Sequence, residues 1–174
     1  MFQVNTSNPN KLREFERYLG AVESTLNDLP EPDADPLTVI RYKASQFSDV
    51  LVDDTILDIA GEDIGVKVRW KLNELDRYIG QSARFICLLG VLRGEHVYIF
   101  KGELSGSIVP ARGKSFGFLP YFLPNGVKQT LAENLPDELN PRYFAVKALL
   151  ENRPWRVCAP LPLWSGPFQQ KLKS

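Results

Sequence analysis

The stretch "ARFICLLGVL", Ala83 to Leu92, constrains the fold more than any other part of the chain. It is almost continuously apolar and too long for a strand with one wet face. It reads as the central buried strand of a sheet. Arg93-Gly94-Glu95 reads as its hairpin turn, followed by "HVYIF" and "GELSGSIVP". A strand of this kind needs a sizeable core around it, and 174 residues with 44% apolar and 11% aromatic content can supply one. That length fits one domain, or one domain built as two lobes around a cleft.

Residues 2–6 form a short predicted strand that ends in a Ser-Asn-Pro turn. In "KLREFERYLG" the spacing of Leu12, Phe15 and Leu19 predicts a helix, with Gly20 as its stop. "DPLTVIRYKASQF" is the clearest helix: Asp35 caps, Pro36 opens, and Leu37, Ile40, Ala44 and Phe47 form the stripe. "DVLV" follows as a short buried strand running into Asp53 and Asp54. A further helix is expected around "VRWKLNEL". Asn140 and Pro141 cap and open a last helix, and the tail from Trp155 is Pro-rich and extended. No internal repeat, low-complexity block or clean domain boundary is visible.

Charge is balanced at 21 basic against 21 acidic residues, which argues against a broad field for nucleic acid or anionic membrane. Cys87 and Cys158 lack metal-ligand spacing and read as free thiols of a reduced compartment rather than a disulfide. The start, "MFQVNTSNPN", turns polar too early for a signal peptide. No apolar run reaches the ~20 residues of a membrane span, so a cytoplasmic protein is expected.

Four segments carry candidate chemistry. "TSNPNKLREF" is either a plain turn with a helix cap or an anion cradle. A helix start offers unpaired amides, Asn8 can donate, and Lys11 can neutralise a phosphate oxygen. "LVDDT" ends an apolar strand in two acids, which alternation sends to opposite sides, so they should not share one task. One is placed to hold a hard cation or activate water, unless both simply face solvent. Glu31 in "DLPEPDADP" can add an oxygen ligand for magnesium, or do nothing as a loop acid. Lys43 flanks the apolar stripe of its helix and reaches either a cleft or, by snorkelling, water.

The order of these motifs carries more than any one of them. "TSNPNK", "DLPE" with "DPLTVIRYKA", "LVDDT", "GELSGSIVPARG", "FGF-P-F-PNG" and "AENLPDELN" occur in the sequence order of a known family. Over residues 2–150 the chain resembles the inosine triphosphate (non-canonical purine nucleoside triphosphate) pyrophosphatases. The resemblance implies an α/β fold with a long mixed twisted sheet and flanking helices forming two lobes around a central cleft. It implies magnesium-dependent hydrolysis of the α–β link of a nucleoside triphosphate, and a homodimer. Residues 1–151 would form the pyrophosphatase-like domain and 152–174 a Pro-rich C-terminal extension. Carried over by position, Thr6, Ser7, Asn8, Lys11, Lys43 and Thr55 would bind phosphate, and Glu31 and Asp54 magnesium. Asp54 would also be catalytic, with Asp53 a less certain neighbour. The single histidine, His96, is expected to be structural.

The departures concern the base. The family loop Phe-Gly-aromatic-Asp-Pro is here Phe116, Gly117, Phe118, Leu119, Pro120, without the acid. The family's Lys-Asn followed by Ser-His-Arg aligns with Leu139, Asn140, Tyr143, Phe144 and Ala145, so its three basic side chains are missing. Phe116, Gly117, Phe118, Tyr143 and Phe144 would then meet the base, by stacking. After "DDT" the family's glycine-rich turn is replaced by "AGEDIG", with Arg69 and Trp70 near a basic-aromatic pair of some members. The expectation is triphosphate cleavage with altered base selection. A nucleotide-binding protein that kept the fold and lost turnover, and a phosphohydrolase of non-purine substrates, are the alternatives.

Overall fold

The computed structural model describes residues 1–25, 27–60, 62–65 and 72–169. An eight-stranded mixed sheet runs through it, in the order β2 (Val22–Ser24), β1 (Phe2–Asn5), β3 (Val50–Ile59), β5 (Ser82–Arg93), β6 (His96–Ile108), β7 (Phe122–Pro124). In addition, β4 (Glu62–Gly65) pairs with β3, and β8 (Arg156–Cys158) pairs with β6. β2 and β1 lie parallel to β1 and β3 respectively, whereas β5 runs antiparallel to both β3 and β6.

β5 is the central strand expected from its apolar run. It pairs along its length with β6 on one side and with β3 from Ala83 to Gly90 on the other. Alternation makes both faces of this strand core. Cys87, Leu89 and Val91 pack with Phe15 of α1 (Pro9–Leu19) and with Ala145 and Leu149 of α3 (Pro141–Leu150). Ile86 and Leu88 pack on the other face with Val39, Ile40 and Ala44 of α2 (Pro36–Ala44). A third apolar cluster gathers Leu57, Phe85, Ile108, Phe118 and Phe122 at the far end of the sheet and forms the second lobe.

Two glycines let the helices sit down on the sheet. A Cβ at Gly102 of β6 would lie 1.9 Å from the Pro141 carbonyl oxygen, so the first turn of α3 rests on bare backbone. At Gly90 a Cβ would come within 2.9 Å of Ile40, on the α2 face.

The structure revises several local expectations. The "DVLV" strand does not stop at the aspartates but runs ten residues, Val50 to Ile59, because β5 pairs with it from Val52 to Ile59. α2 ends at Ala44 rather than Phe47, and Ser45 turns its hydroxyl back to the Arg41 carbonyl. Leu72–Tyr78 is a 3-10 helix. The rest of the helix expected there, with Arg69 and Trp70, lies outside the described residues. The hairpin turn forms at Gly94, whose φ of 61° suits glycine. Cys87 and Cys158 are both free. No described helix is long and apolar enough to cross a membrane.

Up to Gln169 the tail is tied to the rest of the molecule. It adds β8 to the edge of β6 and then runs back along α2, where the Ala159 carbonyl accepts from Arg41 and the Pro162 carbonyl from Gln46.

Candidate active site

The site sits at an interruption in strand pairing. Along one edge of β3, β1 covers Val50 to Val52 and β4 covers Leu57 to Ile59. Asp53, Asp54 and Thr55 lie in the gap between them, at the point where β1 ends and the chain turns into Thr6. A cavity of about 390 Å³ opens there. It meets both sheet faces, so groups from opposite sides of β3 can address one ligand.

On the α1 and α3 side, Asn8 caps α1: its Oδ1 accepts from the backbone N–H groups of Asn10 (2.9 Å) and Lys11 (3.4 Å). The Asn8 amide in turn donates to Thr6 Oγ1 at 3.1 Å. The helix-start amides of Asn10 and Lys11, expected from the sequence to be unpaired, are therefore occupied. Ser7 donates to Asp28 Oδ1 at 2.5 Å. Lys11 Nζ pairs with Asp53 Oδ2 at 3.1 Å, and Arg142 Nη2 reaches the same oxygen at 3.2 Å. Arg142 also donates to Thr55 Oγ1 at 3.2 Å and forms an ion pair with Glu14. Burial opposes ionisation of Asp53, but Lys11, Arg142 and Lys43 outweigh it and hold the carboxyl well below the usual range.

On the α2 side, the buried Lys43 ammonium donates to the Asp53 carbonyl oxygen at 2.7 Å, a main-chain group left open by the gap. It also meets Glu31 Oε1 at 3.4 Å and Asp54 Oδ1 at 3.3 Å. Burial alone would pull this ammonium down, yet Asp54, Glu31 and Asp53 together hold it above the usual lysine range. Asp54 behaves unlike its neighbour. Burial, helped by Glu31 and Asp53, pushes it up to about 6 against the pull of Lys43 and Lys11. Two carboxylates share one ammonium here, whereas Asp53 has several cations.

Asp54 stands behind Lys43 and does not line the cavity wall; Asp53, Glu31 and Lys43 do. Asp54 Oδ2 is buried with no hydrogen-bond partner among the described residues. Such an oxygen is costly unless something binds it. Glu31 and Asp54 thus offer hard oxygen donors around a position now held by a cation. Among the described residues no group of three or more His, Cys, Asp or Glu side chains forms a cage. Magnesium does not ask for one, since it takes one or two carboxylates and completes its shell with substrate phosphates and water.

The far end of the cavity is apolar. Phe116, Gly117 and Phe118 line it with Leu72, Phe85 and Leu135. Tyr143 and Phe144 do not line it; Tyr143 packs on Tyr18, ring centroids 5.2 Å apart. His96 is exposed at the start of β6, outside the cavity. Asn140 caps α3 through its oxygen and donates to Glu14 at 2.7 Å and to Tyr18 at 3.0 Å. Sequence reasoning missed Glu14 and left Arg142 without a role. Glu14 is three residues from Lys11, on the same helical face, and that spacing was the available signal. Nothing local marks Arg142, whose partners are 87 to 128 residues away.

The Ham1 family model matches residues 2–152. The inosine triphosphate pyrophosphatase of Aspergillus oryzae is 32% identical, covering 91% of this chain and 94% of its own. That of Fusarium vanettenii is 34% identical, covering 86% and 92%. Among solved structures, a HAM1 protein from Coxiella burnetii superposes with a TM-score of 0.72 at 22% identity, covering 87% of this chain and 98% of that one. The Staphylococcus aureus Ham1 protein gives a TM-score of 0.68 at 20% identity, covering 87% and 99%. Motif order, sheet topology and these matches agree: the chain belongs to the Ham1 family.

Proposed function

We propose that the protein hydrolyses the α–β phosphoanhydride of a nucleoside triphosphate, releasing the monophosphate and pyrophosphate, with magnesium and with altered base selection. One observation carries the reading. Lys11, Glu31, Lys43 and Asp53, from four separated segments, line one cleft, and Asp54 pairs with Lys43 beside it. Phosphoryl chemistry needs positioning and charge neutralisation more than covalent help, and these groups offer both. Their relatives' names, inosine triphosphate pyrophosphatase, point to the same reaction.

Glu31 and Asp54 would hold magnesium, which when bound neutralises phosphate charge. Lys43, relieved of one carboxylate, turns to the phosphates. Lys11 does the same, while Arg142 keeps Asp53 neutralised. Asp54, in its ionised form, accepts the proton of the attacking water. At the base end the lining is aromatic and aliphatic. Asn140 and Arg142, the nearby polar groups, are committed to Glu14, Tyr18, Asp53 and Thr55. Stacking on Phe116 and Phe118 therefore replaces hydrogen-bond reading, and discrimination between keto and amino bases weakens. The proposal includes a homodimer, for which exposed Leu150 and Val157 offer apolar surface.

The test is a panel of nucleoside triphosphates with magnesium, assayed for pyrophosphate and orthophosphate separately. Pyrophosphate release is expected, with rates for inosine and adenosine triphosphates within about tenfold, well below what a hydrogen-bonding reader gives. Orthophosphate as the first product, or silence with every base, overturns the reading.

A further inference from the structure

The arm beyond the family match, residues 153–169, does more than cover an edge. After β8 it lies against the C-terminal turn of α2 and just beyond it, from Arg41 to Gln46. Leu161 N donates to Ser45 Oγ at 2.7 Å where the helix stops. Phe168 then stands edge-on to Tyr42, ring centroids 5.8 Å apart. Finally the arm forms an antiparallel bridge with the segment that carries Glu31. Gln169 N donates to the Glu31 carbonyl at 2.8 Å, and Asp33 N to the Pro167 carbonyl at 2.9 Å. Gln169 Nε2 adds a bond to the Pro32 carbonyl at 3.2 Å.

The placement is selective. α2 supplies Lys43, and the segment before it supplies Glu31. The arm grips both from the side away from the sheet. Glu31 sits in a segment outside the named strands, and the arm's bridge holds its main chain at Glu31 and Asp33. We infer that Phe168 and the Gln169 backbone are positioning residues that set Glu31 against Asp54 and Lys43. The C-terminal arm is thus a structural part of the magnesium site. This rests on the reading of Glu31 as a magnesium ligand. Partners of ligands in metal sites commonly matter about 10–100-fold in affinity, although they never touch the ion.

The test uses the full chain with Gln169→Pro, which removes the donated N–H, and Phe168→Ala, which removes the ring contact and leaves the N–H. Magnesium is titrated calorimetrically into protein saturated with the α,β-methylene analogue of inosine triphosphate. Hydrogen exchange of residues 28–34 is followed without metal. Both variants are expected to weaken magnesium about tenfold and to speed exchange in that segment. Leu163→Ala, at a side chain 83% exposed on the same arm, should change neither. Should Gln169→Pro unfold, Phe168→Ala decides alone. Unchanged magnesium affinity in the arm variants overturns the inference. If Glu31→Gln still loses magnesium, only the arm's role has failed; if Glu31→Gln also binds normally, the reading of the site has failed with it.

Discussion

Asp53 and Asp54 are adjacent, equally buried and oppositely perturbed, and their difference yields the first two predictions. Asp54 holds its proton more tightly folded than unfolded, so its favourable contribution is complete below about pH 4 and is lost as pH rises through about 6. Asp53 is depressed, so its contribution is present above the ordinary carboxylate range and is lost only on further acidification. Stability of the metal-free protein should therefore fall between about pH 4 and 6, and urea titrations of Asp54→Asn should lack that fall. At pH 8 Asp54→Asn should be more stable than the parent by about 2 kcal/mol while releasing no pyrophosphate. The rate constant kcat/KM at low magnesium should rise with pH through about 6, since it reports the free enzyme. Lys43→Met makes the opposite case. It leaves Glu31 and Asp54 facing each other and should cost about 3–5 kcal/mol, and magnesium should raise its unfolding temperature more than it raises that of the parent.

At the scale of elements, α3 depends on a missing side chain. Gly102→Ala would drive a methyl into the Pro141 carbonyl, and a backbone obstacle cannot rotate away. A loss of about 2–4 kcal/mol in chemical denaturation is expected, with KM rising because Arg142 and Asn140 shift with the helix. Elements whose causes are local were legible in the sequence. Asp35 and Asn140 cap the helices they were expected to cap, and Pro36 and Pro141 open them. β5 declared itself through its apolar run. Elements decided by distant partners were not legible. The full length of β3 follows from pairing with β5, and its acids interrupt the apolar pattern that would have announced it. The arm has no signal of its own, since its partners lie at residues 31–33, 41–46 and 97–99. Likewise Thr6, Ser7, Asn8 and Lys11, singled out by motif, do line the cavity. The occupation of the helix-start amides by Asn8 was not legible, because a cap and an anion cradle use the same residue types.

Considered as a whole, the molecule joins two packing units through one cleft, with Lys11, Lys43, Glu31 and Asp53 on one bank and Phe116 and Phe118 on the other. A nucleotide that spans it should protect both banks at once. With magnesium and the α,β-methylene analogue, hydrogen exchange should slow in residues 6–14 and in 114–120 together; protection of only one would refute a shared cleft. Saturation at a hundredfold excess over Kd should add about 2.7 kcal/mol to stability. The pairing of Lys11 with Asp53, and of Lys43 with Glu31 and Asp54, has one more consequence. A lysine already matched to an acid offers little to a solitary sulfate or orthophosphate, because that anion must displace a carboxylate and return only what was there before. A chelated polyphosphate brings its own dication and can take both lysines in one event. The resting enzyme should for that reason be nearly indifferent to simple inorganic anions.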